Sequence, residues 1–132
     1  EARIMANMPQ INRLFASDRY EDVIAALEAD GSDWAAKELA TLKTKSPQTC
    51  KVALRQLAES LTCADFAANM VMEYRIASRV LLRPDFTEGV RAVIVDKDNQ
   101  PKWTPPTPDA VTDDLLDAIF APLSSEEEWT PL

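Results

Sequence analysis

The stretch DFTEGVRAVIVDKDNQPKW, residues 85–103, decides how this chain is read. Asp85 can accept hydrogen bonds from the free amides of a first helical turn, and Glu88 follows at the capping-box spacing. Phe86, Val90, Val93 and Ile94 then fall on one apolar stripe of a helix. The stripe ends in DKDNQP, where Asp96, Asn99 and Pro101 disfavour further helix. The pattern predicts a short buried helix that delivers Lys97, Lys102 and Trp103 to a defined place at its exit. A compact ammonium beside an aromatic ring suits a ligand that carries phosphates and a planar ring.

Working outward, the same signals predict helices along the whole chain. One covers Pro9 to Phe15, with Ile11, Leu14 and Phe15 inward. A second starts at an Asp18 cap, buries Tyr20, Val23, Ile24 and Leu27, and stops at Gly31. Ser32 or Asp33 caps a third, which runs to Thr44 with Trp34, Leu39 and Leu42 inward. Ser46-Pro47 is a hydroxyl cap followed by proline at the first helical position. That fourth helix is expected to bury Cys50, Ala53, Leu54, Leu57 and Leu61. Thr62 with Asp65 reads as a capping box that opens the longest helix, to Leu82. Its expected stripe is Phe66, Met70, Tyr74, Ala77 and Leu81, and Arg83-Pro84 ends it. PKWTPPTP, with four prolines in residues 101–108, reads as an extended strap pinned by Trp103. A last helix from Thr112 to Phe120 buries Leu115, Leu116, Ile119 and Phe120.

Composition agrees with an all-α fold. The chain has 132 residues, 46% of them hydrophobic, and only 2 glycines. The net charge of −8 is unevenly placed. Residues 1–60 carry −1, residues 61–102 are neutral, and residues 103–132 carry −7 with no base. A basic face for nucleic acid is therefore not expected. No apolar run approaches the roughly 18 residues of a membrane span. Cys50 and Cys63 read as reduced packing residues, not a disulfide framework. With no histidine in the chain, Ser-His-Asp and Cys-His chemistry is excluded, and no metal site is expected.

The 85–103 stretch, together with Asp30-Gly31-Ser32, SPQTCKVALRQL at 46–57 and MEYRIASR at 72–79, resembles the C-terminal end of the enoyl-CoA hydratase/isomerase (crotonase) superfamily. The resemblance runs from Ile11 to Leu123 and is strongest toward its 3-hydroxyisobutyryl-CoA hydrolase branch. It implies that residues 1–123 form an all-α C-terminal region and that residues 124–132 are an acidic, frayed tail. It also implies that an N-terminal core, larger than this chain, carries the two catalytic acids and the glycine-rich loops whose amides hold the thioester oxygen. A start at Glu1 without an initiator methionine fits a piece of such a protein.

By this resemblance the parent hydrolyses a hydroxyacyl-CoA thioester, 3-hydroxyisobutyryl-CoA being the first guess, in valine breakdown. This chain would cover the cleft, complete the CoA pocket and support contacts within a homo-oligomer, without activity of its own. Coenzyme A enters only as part of the substrate, and no further cofactor, nucleic-acid or membrane partner is implied. The compartment is bacterial cytoplasm, which is preferred, or mitochondrial matrix. An enoyl-CoA hydratase or isomerase is one alternative, since crotonases share a pocket while changing chemistry. A helical interaction module that docks a protein by its apolar face is another.

Lys97 and Lys102 are the CoA-binding candidates. In the superfamily that this chain resembles, the last helix ends in a lysine that reaches a CoA phosphate, often one held by the adjacent subunit, and Asp96-Lys97 is the matching block. One more residue separates Ala92 from Lys97 here than in the hydratase pattern, and the spacing matches the hydrolase one. A lysine merely solvated between Asp96 and Asp98 is the plain alternative, and those two carboxylates count against a phosphate contact. The bases Lys37, Lys43, Lys45, Lys51 and Arg55 read as a solvated face, with an anion-facing surface as the alternative. Arg75, Arg79 and Arg83 share one ridge and need partners, acidic ones being expected, with a CoA contact as the lesser alternative. Glu73 and Glu88 are read as a helix-face charge and a cap, so no residue of this chain is assigned to catalysis.

Overall fold

The computed structural model describes residues 3–130 and divides into two compact units, Glu1–Lys45 and Ser46–Leu132. Every regular element among the described residues is helical, as the sequence implies.

In the first unit, α1 spans Arg3–Ala6, α2 Met8–Leu14, α3 Tyr20–Asp30 and α4 Asp33–Leu42. Leu14, Tyr20, Val23, Leu27 and Ala35 are its buried residues. Gly31 ends α3 at φ 63°, the left-handed turn that glycine adopts without a Cβ clash. Ser32 caps α4, accepting the Ala35 N–H at 3.2 Å. Its own hydroxyl donates to Asp30, which also takes Arg13 at 2.6 Å. Those bonds, Ser32 first and Arg13 second, hold the Asp30 carboxyl below its ordinary range. The Asp18 cap is corrected: α3 begins two residues later. Ser17 instead accepts the Arg19 N–H at 3.1 Å and donates to Asp22 at 2.8 Å.

The second unit holds α5 (Pro47–Ser60), α6 (Phe66–Val80), α7 (Pro84–Val90), a π-helical turn (Arg91–Val95), a 3-10 turn (Pro108–Ala110) and α8 (Asp113–Phe120). Ser46 caps α5 through the Thr49 N–H at 3.0 Å, and Thr112 caps α8 through Leu115. The cap of α6 is Asp65, which accepts Ala68 N–H at 2.8 Å. Thr62 spends its hydroxyl on the Glu59 carbonyl, and Cys63 lies before α6, not in its first turn. Neither cysteine is in a disulfide.

Val52, Met72, Ile76, Val111, Leu116, Ile119 and Phe120 form this unit's core. Basic side chains fasten α8 to it. Lys51 donates to the Val111 carbonyl at 2.9 Å. Arg55 pairs with Asp117 at 2.6 Å and lies 4.5 Å from the centre of the Phe120 ring. Arg79 donates to the carbonyls of Ile119, Ala121 and Pro122, filling the orphan acceptors at the C-terminus of α8. The reading of Lys51 and Arg55 as a solvated face therefore fails, because packing against α8 uses them.

The expected inward stripes are also corrected. Leu57 is 67%, Leu61 90% and Phe66 78% exposed, and Tyr74, Leu81, Phe86, Val90, Val93 and Ile94 are exposed too. α8 packs against the other side of α6, where Met72 and Ile76 sit. Periodicity marks an apolar face correctly but does not say what covers it.

Beyond α8 the chain turns at Ser124, whose carbonyl accepts the N–H groups of Glu127 and Glu128. Glu128 pairs with Arg75 at 2.9 Å and accepts the Leu123 N–H at 3.1 Å. The Trp129 ring rests 6.0 Å from that of Tyr74.

Candidate functional site

The exit of α7 is built around Arg91, which the sequence reading passed over. Its guanidinium grips both oxygens of Glu88, at 2.8 and 2.9 Å. The third nitrogen, Nη1, bonds Asp96 and Asp98, each at 2.7 Å, and a weaker bond from Nη2 reaches the Gln100 carbonyl at 3.3 Å. Four points on the loop and helix thus converge on one planar fork of donors. The pairing holds the Glu88 carboxyl at about 2, against an ordinary 4.5, with Arg91 the chief cause and the Lys102 N–H the next. It also lowers Asp98 and raises Arg91.

The backbone here has its own signature. The Asp96 N–H bonds the Arg91 carbonyl, five residues back, at 2.8 Å, which widens the helix by one residue into a π turn. Lys97 and Asn99 then both take left-handed conformations, φ 56° and 54°. The Asn99 N–H closes the loop on the Ala92 carbonyl at 3.0 Å, and Ala92 is fully buried. Left-handed backbone is common for asparagine but disfavoured for lysine, so Lys97 is held there by the bonds on either side.

Asp85 and Glu88 are not the cap pair that their spacing suggests. α7 starts at Pro84, with Arg83 preceding it and no side-chain cap. Asp85 is buried, accepts the Ser46 hydroxyl and takes the Thr104 N–H at 2.7 Å. Glu88 takes the Lys102 N–H at 2.7 Å. Both carboxylates reach across to the strap. Trp103, half-buried, lies over Gly89.

Lys97 and Lys102 are thus placed at the two ends of this clamped loop, both exposed. The acidic neighbours of Lys97, Asp96 and Asp98, are engaged with Arg91, as is Glu88 beside Lys102. The arginine ridge is also accounted for: Arg75 pairs with Glu128, Arg79 with carbonyls, and Arg83 bonds the fully buried Gln48. No group of three or more metal-ligating side chains occurs among the described residues, and no helix there is long and apolar enough to cross a membrane. Arg91 had a readable signal, an arginine three residues after Glu88 with further acids at 96 and 98. The π turn that brings those acids round had none.

Known proteins resemble this chain in sequence and in fold. The sequence model described as enoyl-CoA hydratase/isomerase matches residues 1–120. The chain is 40% identical over 121 residues to a mitochondrial 3-hydroxyisobutyryl-CoA hydrolase of Xenopus laevis, covering 92% of this chain and 31% of that protein. Its counterpart in Dictyostelium discoideum is 38% identical, with 92% and 32% covered. The chain therefore spans about a third of the length of these curated relatives. Among solved structures, an enoyl-CoA hydratase from Rhodobacter sphaeroides superposes with a TM-score of 0.87 at 33% identity, covering 98% of this chain and 38% of that one. A carnitinyl-CoA dehydratase from Mycobacterium thermoresistibile gives the same TM-score at 28% identity, with 95% and 36% covered. With a family model over residues 1–120 and a matched fold, the chain belongs to the enoyl-CoA hydratase/isomerase family.

Proposed function

We propose that this chain is the C-terminal helical part of an acyl-CoA thioester hydrolase, with 3-hydroxyisobutyryl-CoA as the first substrate to test. The observation that carries the reading is the 40% identity to a hydrolase of that name over 92% of the chain. In this reading the catalytic carboxylates and the amides that stabilise the thioester oxyanion belong to the larger N-terminal part of the protein. The exposed stripes of α5, α6 and α7 are the surfaces that part would cover, and the whole would assemble as a homo-oligomer. The isolated chain would have no turnover.

Lys97 and Lys102 act at the far end of the substrate, on coenzyme A phosphates. Two exposed ammonium groups whose acidic neighbours are engaged elsewhere suit that task. Such remote contacts bind ground state and transition state alike. The curated relatives are named as mitochondrial, which supports a matrix setting and gives the cytoplasm no particular support. An enoyl-CoA hydratase or isomerase activity is the second reading, favoured by the Rhodobacter sphaeroides neighbour.

The test is Lys97→Ala in the full-length protein, assayed on 3-hydroxyisobutyryl-CoA and on the same acyl group carried by a pantetheine arm. KM for the CoA substrate is expected to rise up to about tenfold, with kcat little changed. The effect should shrink on the arm that lacks the nucleotide. Equal effects on both substrates, or none, would remove Lys97 from the CoA site. Hydration of an enoyl-CoA without thioester cleavage would favour the second reading.

A further inference from the structure

We propose that Arg91 is a positioning residue for the CoA-binding lysines, holding the loop from Asp96 to Lys102 in the shape that presents both lysines outward. The inference rests on the CoA reading above and adds to it the residue that builds the site.

A π turn takes in one residue more than an α-helical turn. In a regular α-helix, one added residue turns everything after it by about 100°. Here the residue is taken up by the π turn, whose closing bond runs from the Asp96 N–H to the carbonyl of Arg91. The same Arg91 then reaches past the turn and binds the Asp96 and Asp98 side chains, on either side of Lys97. Lys97 is thereby bracketed in a left-handed conformation that lysine does not favour by itself. The link to the second lysine runs through Glu88, which binds Arg91 with both oxygens while accepting the Lys102 N–H.

The clamp also acts electrostatically. Asp96 and Asp98 would be the natural counter-ions of Lys97, but their paired oxygens point at Arg91. A lysine at position 91 would keep the positive charge and lose the planar fork that reaches several acceptors at once. Arg91→Lys therefore separates geometry from charge.

The experiment uses the full-length protein with the variants Arg91→Lys, Lys97→Ala, Lys102→Ala, the Arg91→Lys/Lys97→Ala double variant and Asp98→Asn. Each is assayed for kcat and KM on the acyl-CoA and on the acyl-pantetheine. Arg91→Lys should raise KM for the CoA substrate about threefold or more, leave kcat alone, and have a smaller effect once Lys97 is already alanine, because only Lys102 is then left to misplace. Asp98→Asn gives a second route should Arg91→Lys fold poorly. Simple removal of a negative charge beside Lys97 would tighten phosphate binding, whereas loosening the loop weakens it, so KM should rise. The inference is overturned if Lys97→Ala raises KM while Arg91→Lys does not, if the two effects multiply, or if Asp98→Asn lowers KM. It is also overturned if Arg91→Lys impairs both substrates equally. If Lys97→Ala and Lys102→Ala are both silent, the CoA reading itself falls and the inference with it.

Discussion

The indole of Trp103 lies over Gly89 so closely that a Cβ placed on the glycine would meet the ring at 3.6 Å. That distance is ordinary van der Waals contact, and Gly89 has no left-handed φ that would exclude a side chain. Gly89→Ala should therefore be accepted, and by restricting the unfolded chain should stabilise the protein by about 0.5 kcal/mol. Trp103→Ala should do the opposite, costing about 2 kcal/mol for a half-buried ring that anchors the strap. Urea midpoints at unchanged slope would measure both.

Asp85 joins the start of α5 to the strap, through Ser46 and Thr104. Asp85→Ala leaves a buried hydroxyl and a backbone N–H without their acceptor and should cost about 2–3 kcal/mol. Asp85→Asn keeps an oxygen for Thr104 and should lose clearly less. Equal losses in chemical denaturation would show that charge, not the acceptor, matters at this position.

Acid should open the Arg91 clamp. Glu88 is depressed in the folded state from 4.5 to about 2, and Asp98 is lowered too. A lowered carboxyl contributes stability that is complete above its unfolded value and is lost as pH falls toward its folded one. Stability should thus decline between about pH 4.5 and 2. In Glu88→Gln the decline should be shallower, as read by thermal melts across that range.

The Arg75–Glu128 pair holds the tail against α6. Glu128→Gln should release Trp129 from Tyr74, seen as a red shift of its emission and easier acrylamide quenching. Glu128 is itself lowered by Arg75, so acid should produce the same change in the unmodified chain. A variant with Trp129 replaced by phenylalanine identifies the signal.

Apolar residues as exposed as Leu61, at 90%, and Leu82, at 88%, predict that the isolated chain self-associates. Sedimentation at tens of micromolar, roughly the range in which interfaces of ordinary size form, should show it. The same preparation should leave 3-hydroxyisobutyryl-CoA uncleaved above buffer controls.

What could be read in advance was local. Ser32 and Ser46 cap helices because a hydroxyl reaches an amide three residues on, and Gly31 stops one because it lacks a Cβ. Asp85 and Glu88 carried the same local signature and meant something else. With Pro84 already opening the helix, their oxygens were free to find Thr104 and Lys102, which no spacing rule connects to them. The candidate lysines were legible as residues, but the loop that displays them was not. It depends on a π turn and on Arg91, whose partners come from both sides of that turn.

α5 and α6 carry apolar side chains on two faces, only one of which closes on α8. Mutational sensitivity should therefore change with context. In the isolated chain, alanine at Met72 or Ile76 should be damaging, while alanine at Leu61 or Phe66 should be silent or even improve solubility. In the full-length protein all four positions should become intolerant. An alanine scan performed on both would test, residue by residue, whether this region folds by itself or leans on a larger protein.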